Sequence, residues 1–564
     1  MGVKPSPNRR ARKGSSSLLL AGLLLGRLVS GQAVSAQDAP TKVFPGQLAL
    51  PTYLSLVLGN NQSLQVRLLE FEVSRRRYDG EKAIYEPDFV ASYERQSNQR
   101  QNSREQVSSQ QTRTFEEENN IYNTGLEALV PTGARVRLGY SLRDLDNNLQ
   151  TGIVSFTAVV PRGREYQSFG GLSLTQPLLK GGWNRSVTAN IRLAALGSQV
   201  AFQDYRKQLM TVVSTAEAAY WNLHLAQEQM RFFDESVRLA ETLVKDGKTR
   251  AQAGVGSELE VLQSEAGLAL RRSKLGEARQ KYFEAVAQLR NLAGIDSGGD
   301  SPGQIQLLDA PILDTQTRSF QESGQRALRQ NPDYMSQIRK AEQEDIRIAY
   351  AKNQRLPQVD LKASYGMNGL GPNIGDSWQA LSSGDFASWS LGAELRTPIG
   401  GGRRSRNELQ AARLRKQQAL LGIQETEAQV LNAVETSLRK VKSTRDSVQT
   451  YQTVVQFNQD LLKTQLARLD VGKVEARKVL EVEADLFEAK NAVVEALILH
   501  ERSLLEIGFI EGSLLSDRQI DWAQNEVQDK TKAMIREAAK SEERFREIMT
   551  DLKNRYSRPG AKTP

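Results

Sequence analysis

The chain has 564 residues, and its length alone would suit three or four globular domains. Its composition argues against large compact cores, because 39% of the residues are hydrophobic, 6% are aromatic and the mean hydropathy is −0.49. The absence of cysteine excludes disulfides, thiolate metal sites and cysteine nucleophiles, and two histidines leave little for a histidine-based centre. A formal charge of +9 suits nucleic-acid binding only if the basic residues remain in the protein after any targeting segment is removed.

The first 36 residues are arranged like a secretory signal peptide. Basic residues between Lys4 and Lys13 precede a Leu-rich segment at 18–26, and small residues follow at 33–36. The apolar segment is too short to span a bilayer. Residues 1–36 carry six basic and no acidic side chains, so their removal lowers the formal charge from +9 to +3. We therefore predict an exported protein without a nucleic-acid partner.

The two halves of the chain repeat each other. Asn61 matches Asn331, 270 positions later, whereas Gly254 matches Gly472, 218 positions later. The change of offset predicts an insertion of about 50 residues in the first half. The predicted organisation is a first repeat at 37–300, a linker at 301–316, a second repeat at 317–515 and a charged C-terminal tail at 516–564.

Each half is predicted to contain one exceptionally long helix. Apolar residues recur there every three or four positions in a narrow stripe, and the other faces are polar, which is typical of coiled-coil packing. The predicted helices are 49–83, 185–253 and 257–293 in the first half, and 319–353, 403–471 and 475–511 in the second.

Other segments alternate apolar and polar residues with the period of a β-strand. Val136, Leu138 and Tyr140, for example, alternate with Arg135 and Arg137. This pattern is typical of a transmembrane barrel, although a half-buried soluble sheet also alternates. The intervening segments 96–120, 146–167 and 367–387 are predicted to be long loops. The predicted barrel strands are 87–95, 121–130, 135–145 and 168–177, within 87–177, and 358–366 and 388–397, within 358–397.

These features resemble the TolC family of outer-membrane efflux and secretion ducts over about residues 47–515. The resemblance is most specific at two strand-to-helix turns, where Pro177 precedes Gly181 and Gly182, and Pro398 precedes Gly400 and Gly401. It implies a mainly α fold with transmembrane β-barrel strands, in which a homotrimer of duplicated protomers closes one barrel above a helical tunnel. Family members usually supply four strands per protomer. Six predicted strands leave open an eighteen-stranded trimer or a hairpin outside a twelve-stranded wall.

The resemblance also assigns a function to the glycine breaks that follow the long helices. In the family these turns form the periplasmic mouth, which meets an adaptor and constricts the pore. The implied adaptor contacts are Gly254, Val255, Gly256, Gly472 and Lys473. The candidate constriction residues are Glu260, Leu469, Val474, Lys478 and Glu481. Val474 and Leu469 stand where the best-known members carry basic and aromatic latch partners, so a hydrophobic constriction or a Glu–Lys arrangement would replace that latch. Solvated helix faces are the alternative for each charge.

Apparent catalytic motifs do not fit their required contexts. Residues 299–303 match G-x-S-x-G but lie between the halves, and Lys248 follows a segment that lacks the first P-loop glycine. We therefore expect no enzymatic activity and no cofactor. The predicted function is a passive exit duct in the outer membrane of a Gram-negative-type bacterium, in contact with outer-membrane lipid. It would serve a tripartite efflux pump or type I secretion system, with a periplasmic adaptor and an inner-membrane RND- or ABC-type pump. The alternative is a periplasmic coiled-coil scaffold.

Overall fold

The computed structural model describes residues 46–110, 112–148, 153–155, 158–159, 163–254, 257–295, 305–313, 318–471, 473–520 and 546. The predicted signal peptide at 1–36, parts of the predicted linker at 301–316 and most of the predicted tail at 516–564 lie outside these ranges. Among the described helices, none combines the length and the apolar character needed to cross a membrane.

Helices form most of the described structure, and two of them are very long. The α5 and α10 helices contain 64 and 68 residues, so each is about 100 Å long at 1.5 Å per residue. The helices are α1 Leu50–Asn60, α2 Gln62–Lys82, α3 Arg104–Gln110, α4 Asn184–Val187, α5 Ala189–Gln252, α6 Glu258–Leu292, α7 Phe320–Gln330, α8 Pro332–Gln354, α9 Ile374–Ser383, α10 Arg403–Asp470, α11 Ala476–Glu511 and α12 Leu514–Asp517.

The long helices fold back as two hairpins, α5 with α6 and α10 with α11. One face of α5 is buried along a stripe with helical spacing, which includes Leu209, Val213, Ala216, Tyr220 and Leu223. The α5 helix packs against α1, α2, α6, α8 and α11, so burial is distributed along the helix and not concentrated in a globular core. The predicted mainly α, hairpin-based fold class is confirmed.

The first helix of each half differs from the continuous helix that the sequence predicts. The segment 49–83 is divided at Asn61 and the segment 319–353 at Asn331, where ψ is 115° and 124°. Each asparagine side chain accepts a hydrogen bond from a backbone N–H three residues later, as an N-cap does, and Pro332 also lacks an N–H for the preceding turn. Both helices therefore restart at the same position of the repeat.

The repeated asparagine segments contact repeated glycines in the structure. Gly294, after α6, packs against Asn60, and Gly512, after α11, packs against Gln330. A Cβ atom on Gly294 would lie 3.3 Å from the Asn60 carbonyl oxygen, whereas one on Gly512 would lie 2.6 Å from the Gln330 carbonyl carbon. The two halves thus share one packing arrangement, and a Cβ atom would have less space at Gly512 than at Gly294.

The six predicted strands form one antiparallel sheet, in the order β10 (Ala387–Arg396), β9 (Gln358–Gly371), β7 (Glu165–Pro177), β4 (Arg135–Asn147), β3 (Thr114–Leu129) and β2 (Asp88–Gln101). Two small sheets lie elsewhere, one pairing β1 with β8 and the other pairing β5 with β6. The strands are β1 Gln47–Leu48, β2 Asp88–Gln101, β3 Thr114–Leu129, β4 Arg135–Asn147, β5 Ile153–Ser155, β6 Ala158–Val159, β7 Glu165–Pro177, β8 Gln306–Leu307, β9 Gln358–Gly371 and β10 Ala387–Arg396.

The two faces of the six-stranded sheet differ chemically. Directly opposed residues form an unbroken apolar row across all six strands on one face, and we call this face the apolar face. Its edge members Phe89 and Trp389 are 72% and 74% exposed. On the other face, the neighbouring row is polar. The apolar row is Phe89, Leu126, Leu138, Leu172, Tyr365 and Trp389, and the polar row is Asp88, Glu127, Arg137, Ser173, Ser364 and Ser390.

The segment predicted as a loop at 367–387 instead extends β9 and forms α9. The Asn373 side chain caps this helix by accepting a hydrogen bond from the Asp376 N–H at 2.9 Å. The helix lies on the apolar face, because the Ser377 hydroxyl contacts Ser168 at 2.8 Å and the Trp378 ring meets the Tyr140 ring edge to face, with centroids 5.5 Å apart. Period-based prediction missed α9 because ten residues give too few turns for a clear pattern.

Close packing of α9 on the sheet depends on Gly369. A Cβ atom there would lie 2.6 Å from the Ser168 hydroxyl and 2.7 Å from the Leu381 backbone nitrogen. We predict that Gly369→Val displaces α9. The measurement is maleimide labelling of a Ser377→Cys probe, which is buried in the native structure and has no native cysteine to compete with it. Labelling should become fast with Gly369→Val and stay slow with Gly392→Val, since Gly392 has open space around it. Equal labelling in both variants would contradict this packing role.

Candidate functional site at the junctions and the helical tip

The first strand-to-helix junction turns sharply between β7 and α4. Gly181 has a φ of +78° and donates its backbone N–H to the Asn353 side chain at 2.8 Å. Trp183, which the sequence analysis did not select, also has a positive φ of 67° and donates its backbone N–H to the Thr132 carbonyl at 2.9 Å. The junction is therefore bonded both to α8 and to the β3–β4 turn.

The second junction, between β10 and α10, is built differently. Gly401 donates its N–H to the Pro398 carbonyl at 3.2 Å, and the left-handed residues are Gly401 and Gly402, with φ of 71° and 63°. Gly402 is the N-cap of α10 and was not among the predicted turn residues. Gly400 has open space around it. Both junctions place a proline at or just beyond the end of a strand, where a missing ladder donor is tolerated.

At the opposite end of the long helices, each hairpin reverses within a few residues. Gly254 follows α5 with a φ of +74°, a conformation that residues with a Cβ rarely adopt. Ser257 is the N-cap of α6, and its hydroxyl accepts a hydrogen bond from the Leu259 N–H at 3.2 Å. Lys473 is exposed, and its N–H bonds to the Arg468 carbonyl at 2.9 Å. Val255, Gly256 and Gly472 lie outside the described residues.

The candidate constriction residues occupy different environments. Leu469 is only 7% exposed and packs with Ala240, Leu243, Val479 and Leu480 between the two hairpins. Its carbonyl also accepts a hydrogen bond from the Arg250 guanidinium at 3.3 Å. This position favours a packing role for Leu469 within the protomer. Glu260 and Val474 are half-buried.

Lys478 and Glu481 lie together on an exposed face of α11. The Lys478 ammonium is 3.1 Å from the Glu481 carboxylate, and Arg477 approaches the same carboxylate at 3.1 Å. The hydrogen bond from Lys478, followed by that from Arg477, lowers the pKa of Glu481, so the carboxylate is charged at neutral pH. The surface at this point carries two cations and one anion per protomer.

A buried ion pair, missed by the sequence analysis, joins the two hairpins near the tip. The Arg271 guanidinium on α6 is 2.7 Å from the Glu483 carboxylate on α11, and it also donates to the Leu480 carbonyl and the Ser236 hydroxyl. The two charged side chains are 12% and 9% exposed. The repeat offers a weak signal, since Glu265 is the counterpart of Glu483 at offset 218 and pairs with Lys248 on α5 at 2.7 Å.

Long helical hairpins that continue into an antiparallel sheet define a duct-like protomer, and comparison with known proteins identifies its class. The family model described as outer membrane efflux protein matches residues 137–295 and 324–505, which is more than half of the chain. The chain therefore belongs to the outer membrane efflux protein family, a family of efflux proteins and not of enzymes. Membership places the protein in the outer membrane, with its helices in the periplasm.

Individual relatives are distant. The chain is 22% identical to the probable efflux pump outer membrane protein TtgC of Pseudomonas putida over 310 residues, which are 55% of this chain and 61% of the relative. It is 23% identical to the cation efflux system protein CusC of Escherichia coli O157:H7 over 284 residues, 50% of this chain and 60% of the relative. The alignments thus span less than two thirds of these relatives. The Campylobacter jejuni CmeC outer membrane channel has a similar fold, with a TM-score of 0.56, 18% identity and coverage of 82% of this chain and 86% of the channel.

Proposed function

We propose that the protein is a passive trimeric exit duct that works with a periplasmic adaptor and an inner-membrane RND- or ABC-type pump. The observation that carries this proposal is the continuity of two hairpins, each built on a helix about 100 Å long, with a six-stranded sheet that has one exposed apolar face. An exposed apolar row of this extent suits lipid, and the polar row on the other face suits a water-filled lumen. Energy for transport would come from the pump, and the duct itself would have no enzymatic activity and need no cofactor.

The proposal is tested by matched substitutions on the two faces of β7. Leu172→Arg places a charge in the apolar row and should reduce membrane assembly, at a cost of about 2–4 kcal/mol near the bilayer midplane. Ser173→Arg places the same charge in the polar row and should assemble normally. The measurement is the yield of heat-modifiable trimers in the outer-membrane fraction, together with efflux in a strain lacking its own duct. A soluble, monomeric periplasmic protein would instead support the scaffold alternative.

At the tip, we propose that Gly254, Val255, Gly256, Gly472 and Lys473 contact the adaptor. We also propose that the Lys478–Glu481 pair replaces a polar latch at the pore constriction. In a trimer the pair would form a ring, in which each charge is repeated three times at close quarters.

Lys478→Asp tests this pore-lining assignment. The substitution would convert three cations of the ring into three carboxylates, so we expect greater cation selectivity and a conductance that falls when divalent cations are added. The measurement is single-channel conductance in planar bilayers with and without divalent cations. Lys274→Asp, at an exposed position on α6, is the matched control and should leave both properties unchanged. An unchanged conductance in Lys478→Asp would remove this residue from the pore lining.

A further inference from the structure

We infer that all six strands of the sheet belong to the membrane wall, so that the trimer closes an eighteen-stranded barrel and not a twelve-stranded one. This inference rests on the trimeric duct proposed above. It concerns the inserted β3–β4 hairpin, which could otherwise lie outside the wall.

The inserted hairpin lies inside the sheet and not at its edge. β3 pairs with β2 from Asp88–Glu127 to Gln101–Thr114, and β4 pairs with β7 from Arg135–Thr175 to Leu145–Glu165. The hairpin therefore lies between β2 and β7 and is hydrogen-bonded on both sides. A four-stranded wall would require β2 to leave β3 and pair with β7, with the loss of two complete ladders. The insertion predicted from the repeat offsets falls in this part of the chain.

The two faces of the inserted strands have the same chemistry as those of the flanking strands. The apolar row crosses β3 and β4 at Leu126 and Leu138, which are 48% and 57% exposed, as it crosses the flanking strands. On the opposite face, Glu127 pairs with Arg137 at 3.3 Å. A hairpin that packed outside a barrel would cover an apolar face and expose a polar one to lipid. The inserted strands instead share the two-sided pattern of wall strands.

The turn of the inserted hairpin is bonded to the first strand-to-helix junction. The Thr132 carbonyl accepts the Trp183 N–H at 2.9 Å, and the Thr132 hydroxyl bonds to the Gln176 side chain at 3.0 Å. A Cβ atom on Gly133 would lie 2.7 Å from the Gly181 carbonyl oxygen. The turn is thus held at the level where β7 ends and the helices begin, which is the level expected for the periplasmic rim of the wall.

The two edges of the sheet are complementary. With six alternating strands, β10 of one copy would be antiparallel to β2 of the next, so these two edges, which pair with no further strand among the described residues, can continue the sheet. The base of β10 adjoins a groove lined by five basic side chains, which are Lys180, Arg355, Arg396, Arg403 and Arg404, and by one carboxylate, Glu408, which pairs with Arg404 at 3.1 Å. The groove therefore remains basic overall. The base of β2 carries two exposed carboxylates, from Glu86 and Asp88. Closure would bring this acidic base beside the basic groove of the neighbouring copy.

The size of the duct in the membrane follows from the strand number. Barrel diameter grows roughly linearly with the number of strands, so eighteen strands give a wall about half as wide again as twelve. Barrels of about 16–18 strands leave an aqueous channel, whereas barrels of about eight strands are filled by side chains.

Cysteine accessibility tests the wall assignment, because the chain has no native cysteine. Leu126→Cys and Leu138→Cys should resist a membrane-impermeant maleimide in outer-membrane vesicles and react after detergent is added. Asn123→Cys and Ser141→Cys, on the opposite face, should react without detergent. Tyr365→Cys and Ser364→Cys provide the reference pattern for β9, a strand outside the inserted hairpin. Equal reactivity of both faces of β3 and β4 would overturn the eighteen-stranded wall.

Charge exchange at the edges provides a second test. The pair of substitutions Arg403→Glu and Arg404→Glu should reduce the yield of trimers, and adding Glu86→Arg and Asp88→Arg should restore it. The matched control replaces Arg104 and Arg113 with glutamate. Both are exposed in the segment between β2 and β3, and the yield of trimers should not change. No loss of trimers in the first variant, or no rescue in the second, would contradict edge pairing. Trimers that transport normally but fail these tests would leave the duct intact, whereas an unsubstituted protein without trimers would contradict the duct itself.

Discussion

Replacing Arg271 with methionine should loosen the contact between α6 and α11 and lower its local opening free energy by about 3–5 kcal/mol, as expected when one partner of a buried ion pair is removed. The cause is the environment of Glu483, whose side chain is 9% exposed and would lose the guanidinium that pairs with it. Methionine preserves most of the buried volume, so the loss of charge dominates over the loss of packing. Hydrogen exchange across α6 and α11 measures the local opening directly.

The neighbouring residue provides the control for this substitution. Arg272 on α6 pairs with Glu241 on α5 at 2.8 Å, but both side chains are exposed. Arg272→Met should therefore change the opening free energy by at most about 1 kcal/mol. The double substitution Arg271→Met and Glu483→Leu should recover much of the loss, since an apolar pair removes the unpaired charge. Similar effects of Arg271→Met and Arg272→Met would show that burial does not give the pair its importance.

The same substitution has a consequence for transport if the tip is the gate. Arg271 joins α5, α6 and α11 through Ser236 and Glu483. Weakening this connection should allow the second hairpin to move relative to the first, which would raise the open probability in single-channel recordings. Arg272→Met again serves as the control.

Sequence periodicity predicts most of the elements but few of the contacts between them. The six strands could be found because alternation with a period of two persists through each of them, and the long helices because their apolar stripe continues without proline. The Arg271–Glu483 pair could not be found in this way. It joins residues 212 positions apart and depends on the rotation and axial offset of α6 relative to α11. Periodicity fixes which face of each helix is apolar but not which polar residues meet.

Some differences from the prediction were encoded in local sequence. Asn331 followed by Pro332 is a common signature of a helix start, and the repeat places Asn61 at the matching position. A capping interpretation would have divided both helices where the structure divides them. Burial of Leu469 had no comparable signal, because a leucine at a helix end suits a pore lining and an interhelical contact equally well.

Gly512 has less space for a side chain than Gly294, its counterpart in the first half. Gly512→Ala should destabilise the protein more than Gly294→Ala, although the two glycines occupy equivalent positions with φ of 76° and 63°. Holding an alanine in the left-handed backbone conformation lowers the free energy of unfolding by roughly 1–2 kcal/mol at either site. At Gly512 the new Cβ would also meet the backbone of Gln330 and Asn331 at 2.6 Å and 3.0 Å, which adds about 1–3 kcal/mol of overpacking. The measurement is the thermal unfolding midpoint of the purified protein.

Two further variants separate backbone conformation from crowding. Asparagine tolerates the left-handed region better than alanine, so Gly294→Asn should be milder than Gly294→Ala. Gly512→Asn should remain as damaging as Gly512→Ala, because its Cβ meets the same backbone atoms. Gly422→Ala, in the middle of α10 with open space around it, should instead raise the midpoint slightly, since alanine favours a helix interior. If asparagine restored stability at Gly512, backbone conformation and not contact with the α7–α8 break would be the reason that this position requires glycine.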